Sequence, residues 1–200
     1  REAVPKVMYH MDEPLADASA VALYFLAQEA SKRVKVVLSG EGADEIFGGY
    51  NIYLEPKALG WSRWIPLGAR KKIAGAARRL PKHMKGRNYL IRAASPLSER
   101  YIGNAYIFTA DERKRLLKRK KDGKEPKELL KKEFDRMKNL PDSDQMQSLD
   151  LLYWLPGDIL LKADKMSMAH SLEVRVPFLD KDVFEVARRI PHSLKTKKYT

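Results

Sequence analysis

The sequence predicts a predominantly α-helical chain carrying one short parallel-type strand, and three observations lead there. A single β-branched run, Val34 to Leu38, lies between a helical pattern and a glycine-rich loop. The middle of the chain, from about residue 60 to 140, is helical in composition but cut repeatedly by proline and glycine. From Asp144 apolar residues recur at helical spacing almost to Ile190.

Taken in order, the elements follow from local chemistry. Asp17 is placed to cap a helix from Ala18 to about Arg33, where Val21, Ala22, Phe25, Leu26 and Glu29 fall at helical spacing and define one apolar face. Val34 to Leu38 is apolar enough to be buried on both faces, as strands of parallel sheets are, and no other segment makes a convincing strand. Pro56, Gly60, Pro66, Pro81, Gly86, Pro96, Gly103, Gly123 and Pro126 divide the middle into short helices. One helix is expected from Asp144 to about Leu155, a break at Pro156 and Gly157, a second helix through Ser171, and a third from Asp180 to Ile190.

Composition limits the function classes. Two hundred residues, 44% hydrophobic and 32% charged, suffice for an ordinary globular domain or a large piece of one. No apolar run approaches the ~20 residues of a membrane helix, so no membrane role and a cytoplasmic location are expected. The absence of cysteine removes disulfides, thiolate zinc sites and a cysteine nucleophile, leaving oxygen and nitrogen groups for any chemistry. The net charge of +13 is concentrated: Arg63 to Arg92 carries +10 and Arg113 to Lys138 carries +8, leaving −5 for the rest. Such clusters supply salt-dependent affinity for phosphate, but no recognised reading motif accompanies them, and Trp61, Trp64 and Tyr89 lie at spacings typical of helix packing. A solvated helical face is therefore preferred to a specific nucleic-acid module.

The chemistry concentrates in SGEGADEIFGGY, which follows the strand. In open parallel sheets ligands sit outside the carboxyl ends of the strands, where a loop enters the next helix. Gly40 and Gly42 allow unusual backbone angles and close approach by a ligand, and Asp44 and Glu45 fall in the first helical turn. Helix capping alone would account for those two acids. Alternatively, Glu41, Asp44 and Glu45 beside a phosphate-accepting loop would suit Mg2+ and a nucleotide. A second segment, LLKADKMSMAHSLEVRVPFLD from Leu160, sets Lys162, Asp164, Lys165, Glu173, Arg175 and Asp180 among apolar residues, where charges are costly unless paired.

Three motifs in order, MDEPLADASA, SGEGADEIFGGY and LLKADKMSMAHSLEVRVPFLD, resemble the synthetase domain of glutamine-dependent asparagine synthetases. β-Lactam synthetases and other ATP-dependent amidotransferases share the scaffold. The resemblance implies an α/β domain of the ATP pyrophosphatase type, an adenine-nucleotide α-hydrolase-like fold, of which residues 1–200 would be the central part. It implies ATP and Mg2+ as cofactors, and a reaction in which aspartate is adenylated to β-aspartyl-AMP and then aminated by ammonia from glutamine. By position it assigns Ser39 and Gly40 to nucleotide contact, Glu41 to the forming and consuming of the intermediate, and Asp44 to Mg2+. Glu45 would cap or support. Asp12, Glu13 and Pro14 match a motif near the substrate pocket, and Arg175 and Asp180 would lock the last motif in place.

The resemblance also implies missing parts. A Ser-Gly-Gly-x-Asp-Ser pyrophosphate loop, a transition-state lysine and a partner glutaminase domain are not in these residues. The chain is expected to be a piece of a longer protein, and to release no pyrophosphate from ATP and aspartate by itself. A strand without its neighbours leaves backbone groups unpaired, so self-association through Val34 to Leu38 is expected. A noncatalytic helical scaffold is the remaining alternative, under which Glu41 and Asp44 would be dispensable.

Overall fold

The computed structural model describes residues 2–13, 15, 17–81, 83–104, 108, 110–118 and 124–196. Pro14 of the first motif and residues 119–123 of the basic loop lie outside this set. In chain order the elements are α1 (Val4–Met11), α2 (Ser19–Ser31), β1 (Val36–Leu38), α3 (Ala43–Phe47), a 3-10 turn (Asn51–Leu54), α4 (Glu55–Ala58), a second 3-10 turn (Gly60–Trp64), α5 (Leu67–Arg79), α6 (Arg87–Ala94) and α7 (Leu97–Arg100). They continue with α8 (Ala110–Leu116), α9 (Pro126–Met137), α10 (Asp142–Leu149), a π-helix (Asp150–Leu160), α11 (Leu161–Met168), β2 (Glu173–Arg175), a 3-10 turn (Pro177–Leu179), α12 (Lys181–Ala187) and α13 (His192–Lys195). Among the described residues no helix is long and apolar enough to cross a membrane.

These elements form two compact units, one from residues 1–50 and 150–200, the other from residues 51–149. The first unit packs α1, α2 and α11 around Val7, Met11, Ala20, Tyr24 and Met166. Asp17 accepts a 2.8 Å hydrogen bond from the Ser19 N–H at the start of α2, although Ala18 rather than Asp17 stands at the N-cap. The buried stripe of α2 is Ala20, Tyr24 and Ala27, however, while Phe25 and Leu26 are exposed. The helix is apolar almost all the way round, so spacing alone does not choose the face.

The strand is shorter than expected and solvent-exposed. β1 pairs in parallel with β2, Val36 opposite Glu173, Val37 opposite Val174 and Leu38 opposite Arg175, and these two strands are the whole sheet among the described residues. Val34, Val36 and Leu38 are exposed, Leu38 to 74%, so burial on both faces does not hold in this chain. β2 is the strand the sequence concealed: Glu-Val-Arg is three residues long and two-thirds charged, too short and too polar for a propensity signal. The helix expected through Ser171 stops at Met168, where Ser171 takes a positive φ of 54° and turns the chain into β2.

The break expected at Pro156 and Gly157 is also absent. Pro156 sits inside the π-helix. Proline lacks the N–H that a helix interior requires and its ring crowds the preceding turn, so an α-helix would kink there; the wider π turn, with its i to i+5 bonding, carries it.

In the second unit the punctuation acts as anticipated. Pro66 and Pro96 precede α5 and α7, Gly86 precedes α6 in a left-handed conformation, and Pro126 opens α9. Arg100, buried, bonds Glu55 at 2.8 Å and Asp142 at 3.1 Å, Arg92 also pairs with Glu55, and Arg63 reaches Asp142 at 3.3 Å. Trp61 stacks on Tyr89 with ring centroids 6.3 Å apart, which bears out helix packing for that pair. Trp64 departs from it and is 91% exposed.

Candidate functional site

The loop from Ser39 to Asp44 is shaped by the segment that follows it by more than a hundred residues. The Ser39 N–H donates to the Arg175 carbonyl at 2.9 Å, extending the β1–β2 ladder by one rung, and the Glu173 N–H donates to the Lys35 carbonyl at 2.9 Å. Gly42 then turns the chain with φ 86°, and a Cβ there would run into Leu179. Glycine is required at 42 for both reasons. Phe178 meets the Phe47 ring edge-on, with centroids 6.2 Å apart. The EVRVPFLD segment thus holds the loop by strand pairing on one side and by Leu179 and Phe178 on the other. Its charged side chains act locally: Arg175 pairs with Glu173 on its own strand at 2.8 Å, and Asp180 caps α12 by accepting from the Asp182 N–H at 2.8 Å. Arg175 contributes to the lock through its backbone carbonyl, not its guanidinium.

Ser39 and Glu41 come together. Both line a cavity of about 270 Å³ whose other walls are apolar apart from Ser167, with Leu23, Leu26 and Ala27 from α2, Ala163 from α11, and Leu172 and Val174 around β2. Gly40 lies at the surface with nothing within 4 Å of where a Cβ would stand, and its φ is not positive. Nothing in this chain demands glycine there; the open space leaves room for a ligand. Asp44 does not face the cavity. It is exposed in the first turn of α3, and its carboxylate lies against Gly49.

Glu45 departs from the expectation for a capping acid. It is 1% exposed and accepts a 2.9 Å hydrogen bond from the Tyr50 hydroxyl. Burial, with the charges of Asp44 and Asp150 added, pushes its carboxyl above the usual carboxylate range, and burial and the Glu45 carboxylate push the Tyr50 phenol up as well. Asp150, at the start of the π-helix against which α3 packs, is fully buried. Two buried carboxylates near the loop could not be read from the sequence, because only the turn at Gly48 and Gly49 brings Tyr50 back to Glu45.

A second cluster lies in the same unit. Lys162, 6% exposed, bonds Asp17 and also Asp158 at 3.3 Å. Burial disfavours the Lys162 ammonium, but the two carboxylates outweigh it and raise its affinity for the proton. Burial likewise pulls the Asp17 carboxyl upward, and Lys162 with the Ser19 N–H overcomes this and holds it below the usual range. Asp158, the more buried partner, stays raised by its burial. Asp12, at a positive φ of 59°, accepts from Lys165. These pairings satisfy the charges that the sequence sets among apolar residues, and they tie α2, α11 and the π-helix together.

For a metal, the donor set is sparse: among the described residues no group of three or more His, Cys, Asp or Glu side chains is placed to hold one. An exposed carboxylate such as Asp44 suits Mg2+, which takes one or two carboxylates and completes its shell with phosphate oxygens and water.

Comparison with known proteins agrees with the motif resemblance. A family model described as asparagine synthase matches residues 1–200. The chain is 51% identical over 197 residues to asparagine synthetase (glutamine-hydrolyzing) 1 of Bacillus subtilis strain 168, covering 98% of this chain and 31% of that protein. It is 43% identical over 198 residues to a provisionally named asparagine synthetase (glutamine-hydrolyzing) of Mycobacterium tuberculosis strain H37Rv, covering 99% of this chain and 30% of that one. The chain thus spans about a third of the length of the curated relatives it matches. No solved structure matches it significantly.

Proposed function

The chain belongs to the asparagine synthase family, and on that premise we propose that it is part of a glutamine-dependent asparagine synthetase that activates aspartate with ATP and aminates the product. The observation that best supports this reading is the convergence of Ser39 and Glu41 on one cavity at the carboxyl end of a parallel strand, which is where such folds bind ligands.

In the first step an oxygen of the aspartate β-carboxylate attacks the α-phosphorus of ATP and the bond to the β-phosphate breaks, giving β-aspartyl-AMP and pyrophosphate. The Ser39 hydroxyl and the open backbone at Gly40 meet the adenylate. Asp44 would hold Mg2+, which when bound would supply positive charge to offset that developing on the pyrophosphate. In the second step ammonia attacks the acyl carbon, the carbon–oxygen bond to AMP breaks, and Glu41 accepts the proton released from nitrogen. The apolar walls that Glu41 shares with Leu23, Ala27 and Ala163 favour neutral ammonia over the ammonium ion, because an unpaired charge is expelled from such surroundings. The chain spans about a third of the length of the curated relatives it matches, so the activity is proposed for the longer protein.

The test is Glu41→Gln in the full-length protein. Asparagine formation should fall roughly 10²- to 10⁴-fold, the range for loss of a general base, while binding of a non-hydrolysable ATP analogue holds within about threefold. Turnover close to that of the unmodified enzyme would refute the role.

A further inference from the structure

The helix that carries Asp44 is held by its packing: Glu45 and Ile46 are buried, Phe47 meets Phe178, and the helix lies against the π-helix. α3 is five residues long, too short to persist by itself, and it is bounded by left-handed glycines, Gly42 at φ 86° and Gly48 at φ 75°. The N–H groups of Gly48 and Gly49 both donate to the Asp44 carbonyl, the latter at 2.9 Å. The Asp44 carboxylate lies across Gly49, where a Cβ would strike Oδ1. A turn made of glycines has the fewest backbone preferences of any, so its conformation must be imposed from outside.

Across that turn the Tyr50 hydroxyl donates to Glu45 Oε1 at 2.9 Å. This bond joins the residue after Asp44 to the residue after Gly49 and closes the Gly48–Gly49 turn from beneath. Burying a carboxyl to 1% exposure is costly, and an apolar residue would fill the same space more cheaply if packing were the sole purpose.

We propose that Glu45 and Tyr50 are positioning residues whose buried hydrogen bond aims the Asp44 carboxylate at the metal. This rests on the reading of Asp44 as a Mg2+ ligand. Asp44 supplies the oxygen, and the Glu45–Tyr50 bond fixes the turn on which that oxygen is carried.

The experiment uses the full-length protein with Mn2+ as the probe, its binding in the presence of a non-hydrolysable ATP analogue followed by electron paramagnetic resonance. Tyr50→Phe keeps the ring and removes the hydroxyl; Mn2+ should bind about tenfold more weakly, with kcat at saturating Mg2+ within about threefold of the unmodified enzyme. Glu45→Gln keeps an acceptor for Tyr50 and should restore Mn2+ binding to within about threefold. Should Tyr50→Phe fail to fold, Glu45→Leu removes the acceptor and should give the same weakening. Unchanged Mn2+ binding in Tyr50→Phe beside weakened binding in Asp44→Asn would overturn the positioning role alone. Unchanged binding in Asp44→Asn would remove the metal reading itself, and the positioning role with it.

Discussion

Replacing Lys162 with methionine should destabilise the protein sharply. The substitution keeps most of the side-chain volume, removes the cation, and leaves the Asp17 and Asp158 carboxylates facing each other. Breaking a buried ion pair by deleting one partner costs about 3–5 kcal/mol. Asp17 keeps 26% of its side-chain surface in water, which relieves part of its charge, so the low end applies, about 3 kcal/mol. At about 2–4 °C per kcal/mol for a protein of this size, Tm should drop by about 6–12 °C in thermal unfolding followed by circular dichroism at pH 7. The pH profile gives a second check. The Lys162 ammonium is raised, so its contribution is complete below the ordinary lysine value and is lost as pH rises through the raised one. The Asp17 carboxyl is lowered, so its contribution is present above the ordinary carboxylate value and is lost as pH falls through the depressed one. Asp158 is raised and works the other way, costing stability once pH exceeds its own value. Lys162→Met should flatten the alkaline limb, and adding Asp158→Leu should recover at least half of the lost stability. A Tm shift under about 2 °C, or a double variant no better than the single one, would refute the reasoning.

Three further outcomes are expected. Gly42→Ala forces a side chain into a left-handed residue at about 1–2 kcal/mol and displaces Leu179, so Tm should fall by several degrees and ATP-analogue binding should weaken; unchanged values would show the loop to be adaptable. His170 packs edge-on against Tyr24 at 4.4 Å with its Nε2 buried and unpartnered, and burial, assisted by His10, lowers its affinity for the proton. Stability should therefore decline as pH falls through the ordinary histidine value near 6.5, and His170→Phe should reduce that decline, as read by urea unfolding at pH 5 and pH 8. The 200-residue chain should self-associate through the exposed edge of β1, and Leu38→Lys should shift its sedimentation toward the monomer; a strictly monomeric unmodified chain at high concentration would count against this.

What the sequence revealed and concealed follows from the range of the forces involved. Gly42 in its left-handed turn, Asp17 at the start of α2, Asp180 at the start of α12, and Pro66, Pro96 and Pro126 at helix starts are decided by neighbours within a few residues, and all are legible. β2 is not, because three residues take strand form only when β1 lies alongside. Nor is the π-helix around Pro156, where the local rule for proline in an α-helix anticipates a break. In the candidate site the positions of Ser39, Glu41 and Asp44 in the loop were evident, but their separation was not: Ser39 and Glu41 face the cavity and Asp44 faces solvent. The burial of Glu45 depends on where Tyr50 returns, and the partners of Lys162 depend on which face of α2 turns inward.

The rung between Ser39 and Arg175 has a consequence for biosynthesis. The two residues stand 136 positions apart, so the loop cannot take its final shape until the ribosome has delivered the second of them. At roughly 5–20 residues per second that delay is roughly 7–27 s, long beside the microseconds in which a helix forms. Throughout it Val36 and Leu38 wait on the nascent chain without β2, the strand they pair with here. The order of synthesis therefore delivers the helices of residues 51–149 before the loop from Ser39 to Asp44 can take its final shape.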